Sequence, residues 1–267
     1  TGVPFNSEAD ERTGNAAGSG NAARTASGCL ALIRDITELR KLEKIRRDFV
    51  SNVTHELKTP ITSIKGFVET LKGGAIADEK VALRFLEIIE IEAERLHNLI
   101  EDILRLAEIE SLPRETDLQR FRLRDIAEEV LAILQPLAKE KGVSLTYGET
   151  EEITMTANRD RIKQLLLNLV DNAIKYNILQ GAVTVAAFKE KGKNVISVKD
   201  TGIGIPSEHR ERIFERFYRV DNGRSREMGG TGLGLSIVKH IVKLYDGDIE
   251  VKSEPGRGTE FVVRLPA

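Results

Sequence analysis

In the stretch Ser51 to Gly66, SNVTHELKTPITSIKG, His55 is followed by Glu56, by Thr59 one helical turn on, and by Pro60. A neutral imidazole is a competent nucleophile near neutral pH, and a neighbouring carboxylate can fix its tautomer and take up a proton as the ring is quaternised. Glu56 is the candidate orienter. The Thr59 hydroxyl can either orient a water over the same face or bond back to its own helix. Further along, Asn168, Asn172 and Lys175 recur at helical spacing. Two carboxamides and an ammonium on one face can hold a divalent cation and phosphate oxygens, since Mg²⁺ takes oxygen ligands and keeps several waters. Asp200 ends an apolar run and leads into Thr201-Gly202-Ile203-Gly204. A carboxylate there can accept from an exocyclic amine, with glycines allowing a tight turn against a flat ring. Gly229-Gly230-Thr231-Gly232-Leu233-Gly234-Leu235 opens a helical pattern. Its glycines and the free amides of the helix start suit phosphate, although the Lys-Ser/Thr pair of a Walker loop is missing. Taken singly, each of these is also readable as ordinary surface or turn structure.

The elements that must position these groups follow from periodicity. Around His55, apolar Phe49, Val53, Leu57, Ile61, Ile64, Val68 and Leu71 form one stripe. At about 100° per residue this places His55 on the wet side. Pro60 deprives the Glu56 carbonyl of its helical partner, so a bend just beyond the histidine is expected. Leu39, Leu42, Ile45 and Phe49 continue the stripe upstream as a coiled-coil seam. After Gly73-Gly74 a second helix is expected from Asp78 or Glu79, with an apolar face from Phe85 to Ala107. One such hairpin has little core, so pairing of two chains into a four-helix bundle, a homodimer, is expected.

A polar, Pro113-containing linker spans Ser111 to Gln119. Beyond it strands and helices alternate: a short strand at Phe121 to Leu123, a helix capped by Asp125 and closed by Gly142, and strands at Val143 to Tyr147 and Ile153 to Thr156. A helix from Arg159 to Tyr176 follows, then a hairpin of Val183 to Phe188 with Val195 to Lys199. Next come a short helix from Ser207, a helix from Gly232 to Tyr245, and two final strands. This is a mixed sheet with helices on one side, an α+β sandwich.

Composition bounds the function class. The 267 residues are 40% hydrophobic and 31% charged with net charge −2, as in a globular protein, and this balance suggests no nucleic acid or anionic membrane surface as a bulk partner. The lone Cys29 makes no internal disulfide, and no Cys/His cluster suggests a transition-metal site. No apolar run reaches the roughly 20 residues of a membrane span. The start, TGVPFNSEAD, lacks both a signal-peptide pattern and an initiating Met, and is read as that of a fragment or processed chain. A cytoplasmic region is expected, with membrane attachment left to a longer parent.

H-E-L-K-T-P at His55 resembles the phospho-acceptor box of sensor histidine kinases. In order after it, N-L-V-D-N-A-I-K-Y at Asn168, D-T-G-I-G-I at Asp200, F-E-R-F-Y-R at Phe214 and G-G-T-G-L-G-L at Gly229 resemble the N, G1, F and G2 boxes of that family's catalytic domain. The wording looks like that of the PhoR and WalK subgroup, and Arg34-Asp35-Ile36-Thr37 resembles the exit of a PAS sensor domain, with Cys29 to Ile33 as its last strand. The resemblance implies three regions: 1–33, a flexible arm with a residual PAS end; 34–112, a signalling helix and dimerisation/histidine-phosphotransfer hairpin; and 113–267, an ATP-binding domain of the Bergerat (GHKL) type shared with gyrase and MutL.

It further implies autophosphorylation of His55 by ATP and transfer to an Asp of a response regulator receiver domain, with regulator dephosphorylation through Thr59 as a second activity. Asp200 would read the adenine amine, with Gly202 and Gly204 in its turn, and Asn172 would chelate Mg²⁺. Asn168, Lys175 and Tyr176 would touch nucleotide. Tyr218, Arg219 and the lid Gly230, Thr231, Gly232, Leu233 and Gly234 would embrace the phosphates, and Thr259 would assist at adenine through water. Related hydrolytic enzymes carry a Glu base where this chain has Asn168, whose carboxamide cannot activate water, so a delivered nucleophile is needed. A nucleotide-binding signalling scaffold and a hydrolytic GHKL ATPase are the competing readings. His97, His209 and His240 are expected to be surface or interface residues. Asn177-Ile178-Leu179 departs from the family's Ser/Thr and Pro/Gly-rich turn, so a different edge to the adenine pocket is expected.

Overall fold

The computed structural model describes residues 35–111, 115, 117–148, 151–220 and 230–266, with the backbone alone at 41 and 42. The expected strand at Cys29 to Ile33 lies outside these residues. The chain forms two compact units, Thr1–Glu43 and Lys44–Ala267. In the first, the Asp35 carboxylate accepts the Thr37 N–H at 2.8 Å where helix α1, Thr37–Lys72, begins.

In the second unit α1 continues through Pro60 and ends at the glycine pair, where Gly74 takes φ 120°. Helix α2, Glu79–Ser111, is capped by the Asp78 carboxylate, which accepts the N–H groups of Lys80 (3.0 Å) and Val81 (3.2 Å). The two helices meet through Phe67 and Phe85, ring centroids 5.1 Å apart, and through Glu56 and Arg95 at 3.4 Å. Leu71, Leu99, Leu106 and Ile109 are buried, whereas Val50, Ile61, Leu83, Leu86, Ile91, Ile100 and Leu104 are exposed. The expected stripe is therefore only half covered, because a hairpin of two helices shields each from one side.

The remainder is a sandwich. Strands β1 (Gln119–Arg122) and β3 (Thr154–Ala157) pair antiparallel as a small separate sheet. Helix α3, Leu123–Lys141, starts without a side-chain cap: the Asp125 carboxylate sits inside the first turn and pairs with Arg122 at 2.9 Å. That corrects the expected Asp125 cap, since the helix begins two residues earlier, at Leu123, and Asp125 is its third residue rather than the one before it. At the other end Gly142 is left-handed at φ 66°, as its position after the last turn requires. Strand β2 (Ser144–Tyr147), helix α4 (Arg159–Lys175), and strands β4 (Ala182–Glu190) and β5 (Lys193–Asp200) follow. Helix α5 (Gly234–Leu244) and strands β6 (Asp248–Glu254) and β7 (Gly258–Pro266) complete the chain. The main sheet has the order β2-β4-β5-β7-β6, with β2 parallel to β4 and the other pairs antiparallel.

Helix α4 is the keel of this layer. Asn158 caps it by accepting the Asp160 and Arg161 N–H groups at 3.0 and 3.2 Å, and Ile162, Leu165, Leu166, Leu169, Val170, Ala173 and Ile174 are buried. They join Val183, Val185, Ile196, Val198 and Val263 of the sheet and Ile237, Val238 and Ile241 of α5 in one core. Each fully buried Leu or Ile contributes about 1.5–3 kcal/mol. With one face of α4 fixed in this way, its polar face at Asn168, Asn172 and Lys175 is held in a defined direction.

Candidate active site

A cavity of about 740 Å³ opens where the polar face of α4, the end of β5, the start of α5 and the side of α2 converge. Helix α4 lines it with Asn168, Asp171, Asn172 and Lys175, and Tyr176 follows. The Lys175 ammonium holds the Asp171 carboxylate at 2.7 Å. The Asn168 carboxamide accepts from Gln164 at 3.1 Å and donates to the Gly234 carbonyl at 3.2 Å, which ties α4 to the start of α5. The Asn172 carboxamide lines the cavity without a hydrogen bond to any described residue. Its oxygen suits a hard cation completed by phosphate oxygens and water, and among the described residues no His/Cys/Asp/Glu cluster offers a rival cage.

At the other end, Asp200 is the last residue of β5 and is 8% exposed. Its Oδ1 accepts two backbone N–H groups, from Gly202 at 2.8 Å and Thr259 at 3.1 Å, which leaves Oδ2 for a ligand. Burial pushes its carboxyl above the ordinary value, against the opposing pull of those two amides. The turn after it tolerates no side chain: a Cβ on Gly202 would lie 2.3 Å from the Tyr176 carbonyl oxygen, and one on Gly204, at φ 72°, would lie 2.0 Å from that of Glu254. Gly204 and Thr259 line the cavity, as do Tyr218, Arg219, Gly230, Thr231, Gly232 and Gly234. Gly202 and Leu233 do not; Gly202 serves Asp200, and Leu233 is fully buried.

His55 lies elsewhere. Its side chain is exposed on α1 beside a shallow groove shared with Lys58, Thr59, Thr62 and Ser63, and this groove has no residue in common with the cavity. The Thr59 hydroxyl donates to the His55 carbonyl at 3.2 Å, and Glu56 reaches the Arg95 guanidinium at 3.4 Å.

Several features were not legible beforehand. One wall of the cavity belongs to α2, through His97, Asn98, Glu101, Asp102 and Arg105. Asp102 accepts from the Thr231 hydroxyl at 2.6 Å, and burial raises its carboxyl above the ordinary value while that hydroxyl opposes the shift. The other two histidines have specific partners: His209 Nδ1 meets the Tyr218 hydroxyl at 2.6 Å, and His240 Nε2 meets Glu110 of α2 at 3.0 Å. At the departing turn the Asn177 carboxamide donates to the carbonyls of Ala173 and Ala182 and accepts from Ile178 N–H and the Thr201 hydroxyl, so one side chain staples the turn.

Residues 45–112 match the His Kinase A (phospho-acceptor) domain, and residues 157–267 match the histidine kinase-, DNA gyrase B- and HSP90-like ATPase family. Over 242 residues the chain is 37% identical to the sensor histidine kinase WalK of Bacillus subtilis (strain 168), covering 90% of this chain and 39% of WalK. The chain carries the phospho-acceptor and ATPase domains of the histidine kinases, and its homologues are sensor histidine kinases. It spans about two fifths of the length of the curated relatives it matches. Among solved histidine kinases, the catalytic domain of ThkA is 30% identical, with 57% of this chain and 96% of that one covered at a TM-score of 0.50. ThkA in complex with the response regulator protein TrrA is 27% identical, covering 87% and 68% at a TM-score of 0.66. Full-length ShkA in complex with AMPPNP is 28% identical, covering 82% and 45% at a TM-score of 0.62.

Proposed function

We propose that this chain is the cytoplasmic transmitter part of a larger sensor, which moves the γ-phosphoryl group of ATP onto His55 and then onto an aspartate of a response regulator receiver domain. The observation that carries the reading is the pairing, in one chain, of an exposed imidazole with a cavity whose cation-side helix offers two carboxamides and a Lys-bound Asp171. Neither Asn168 nor Asn172 can deprotonate water, and the Asp171 carboxylate on the same helix is held by the Lys175 ammonium at 2.7 Å, which favours an attacking group brought in from outside the cavity.

In this reading Asp200 Oδ2 accepts from the adenine amine, with Thr259 beside it. Lys175, Tyr176, Tyr218, Arg219 and the Gly230 to Gly234 segment surround the phosphates. Bound Mg²⁺, held through the Asn172 oxygen, would offset charge on the phosphate oxygens. A ring nitrogen of His55 attacks the γ-phosphorus in line as the bond to the β-phosphate breaks, and a neighbouring carboxylate, Glu56, steadies the ring. An arrangement that presents His55 to the cavity is required, since the two line different surfaces in this structure. The exposed apolar residues Ile61, Leu86, Ile100 and Leu104 of the hairpin favour a homodimer, in which a second hairpin covers them. The regulator as partner is supported by the solved assembly of ThkA with TrrA, and the nucleotide by that of ShkA with AMPPNP. No helix among the described residues is long and apolar enough to cross a membrane.

Incubation with γ-labelled ATP and Mg²⁺ tests this. Label that survives base, is lost in acid and vanishes in His55→Ala supports the proposal. Bound nucleotide without label would favour a scaffold, and phosphate release unchanged in His55→Ala would favour a hydrolytic ATPase.

A further inference from the structure

Behind the adenine end of the cavity lies a buried hydroxyl that none of the motifs includes. Ser253 of β6 is 7% exposed and sits opposite Thr259 in the β6–β7 register. Its Oγ makes three contacts: it accepts the Ile205 N–H at 2.7 Å, lies 3.0 Å from the Gly258 carbonyl oxygen, and lies 2.8 Å from the Thr259 hydroxyl.

A serine hydroxyl has one proton and two lone pairs. The Gly258 carbonyl can only accept, so the Ser253 proton goes to it. One lone pair takes the Ile205 N–H. The contact with Thr259 is then satisfied in one way alone, with the Thr259 hydroxyl donating to Ser253. Reversing that bond would set two acceptors, Ser253 Oγ and the Gly258 oxygen, face to face at 3.0 Å. With its proton committed inward, Thr259 turns only lone pairs toward the cavity it lines. Beside it, both Thr259 N–H and Gly202 N–H are spent on Asp200 Oδ1. The side chains at this end thus offer acceptors, Asp200 Oδ2 and Thr259 Oγ1, and no donor.

We propose that Ser253 is a specificity-determining residue for the nucleotide: by fixing the direction of the Thr259 proton it makes the pocket accept 6-amino purines and reject 6-oxo purines. This rests on the reading of the cavity as an ATP site. An amino group at C6 donates to such a floor, while a keto oxygen meets lone pairs and leaves buried acceptors unpaired, the arrangement that discriminates most strongly between analogues. Ser253 acts through Thr259 and is a positioning residue.

The test measures dissociation constants of ATP and of inosine triphosphate on the full chain by calorimetry, and reads their ratio. Freed of Ser253, the Thr259 hydroxyl rotates and can donate to a keto oxygen, so Ser253→Ala should lower the native preference for ATP by about tenfold, mostly through tighter inosine triphosphate binding. Thr259→Val should lower it comparably, Thr259→Ser should keep it, and Ser253→Ala added to Thr259→Val should change it no further. A Ser253→Ala variant that weakens both nucleotides equally would reduce Ser253 to a structural role and overturn the proposal. So would an unchanged ratio in Thr259→Val, a result obtainable even if the Ser253 variant fails to fold. Failure of the native chain to bind either nucleotide would instead overturn the ATP reading itself.

Discussion

Replacing Asp200 by Asn exchanges one acceptor at the proposed adenine end of the cavity for a donor while keeping the shape. Asn Oδ1 can still take the Gly202 and Thr259 N–H groups that the native Oδ1 accepts at 2.8 and 3.1 Å. The change therefore falls on Oδ2, where an NH₂ group would face the amine of the base. Losing a hydrogen bond to a charged acceptor removes about 1.5–3 kcal/mol, or about 10- to 150-fold in affinity. Stability should move the other way. Burial raises the Asp200 carboxyl above its ordinary 3.8, so the folded state resists ionising it. The contribution is stabilising at low pH and is lost as pH rises from the ordinary value through the raised one. Asn cannot ionise, so the variant escapes whatever part of that loss native Asp200 has incurred by neutral pH. Calorimetric titration with ATP, paired with urea unfolding at neutral pH, should show weaker binding by a chain that is at least as stable. Native-like ATP affinity in a folded Asp200→Asn variant would refute the assigned role, and lower stability would refute the electrostatic argument.

Other expectations follow from the same structure. Asp102→Asn keeps an acceptor for the Thr231 hydroxyl and removes a carboxyl that burial has raised above 3.8, so its urea midpoint should exceed that of the native chain at neutral pH. The gain should shrink as pH falls toward the ordinary carboxylate value, and a gain independent of pH would contradict the cause given. Leu166→Ala, at a site of 0% exposure on α4, should cost about 2–5 kcal/mol of unfolding free energy, and a cost below about 1 kcal/mol would mean that the core is not packed as described. Arg264 joins Glu190, Asp248 and Glu250 across three strands at 3.4, 3.1 and 2.7 Å, yet all three carboxylates are close to half exposed, so water screens the pairs. Arg264→Ala should cost only about 1 kcal/mol at low salt, and less at high salt; a loss indifferent to salt would exclude an electrostatic origin.

What could be read from the sequence was local. The His55 box, the Asn168, Asn172 and Lys175 face and the Asp200 turn each depend on groups a few positions apart, and helical or strand periodicity fixes where such groups point. The strands and helices of the sandwich were legible for the same reason, to within a few residues at their ends. Competition and long separation were not legible. Asp125 has the residue type of a cap, but α3 already starts at Leu123, where the chain leaves the small sheet, so Asp125 lies inside the first turn and pairs with Arg122. Asp102 and Thr231 are 129 positions apart, Ser253 and Ile205 are 48, and nothing in the local pattern of either pair marks its partner. The α2 wall of the cavity was hidden because the polar face of an amphipathic helix looks the same whether it meets solvent or another domain.

In the proposed reaction the imidazole of His55 receives the phosphoryl group of a nucleotide held by Asp200 and Asn172. Fragment mass spectrometry of the chain after incubation with Mg²⁺ and ATP, kept alkaline throughout, tests it most directly. Phosphate is expected on His55 in the native chain, and at least about tenfold less of it in Asn172→Ala and Asp200→Asn at sub-saturating ATP. Phosphate on another residue, or an unmodified His55 in a chain that binds ATP, would contradict it.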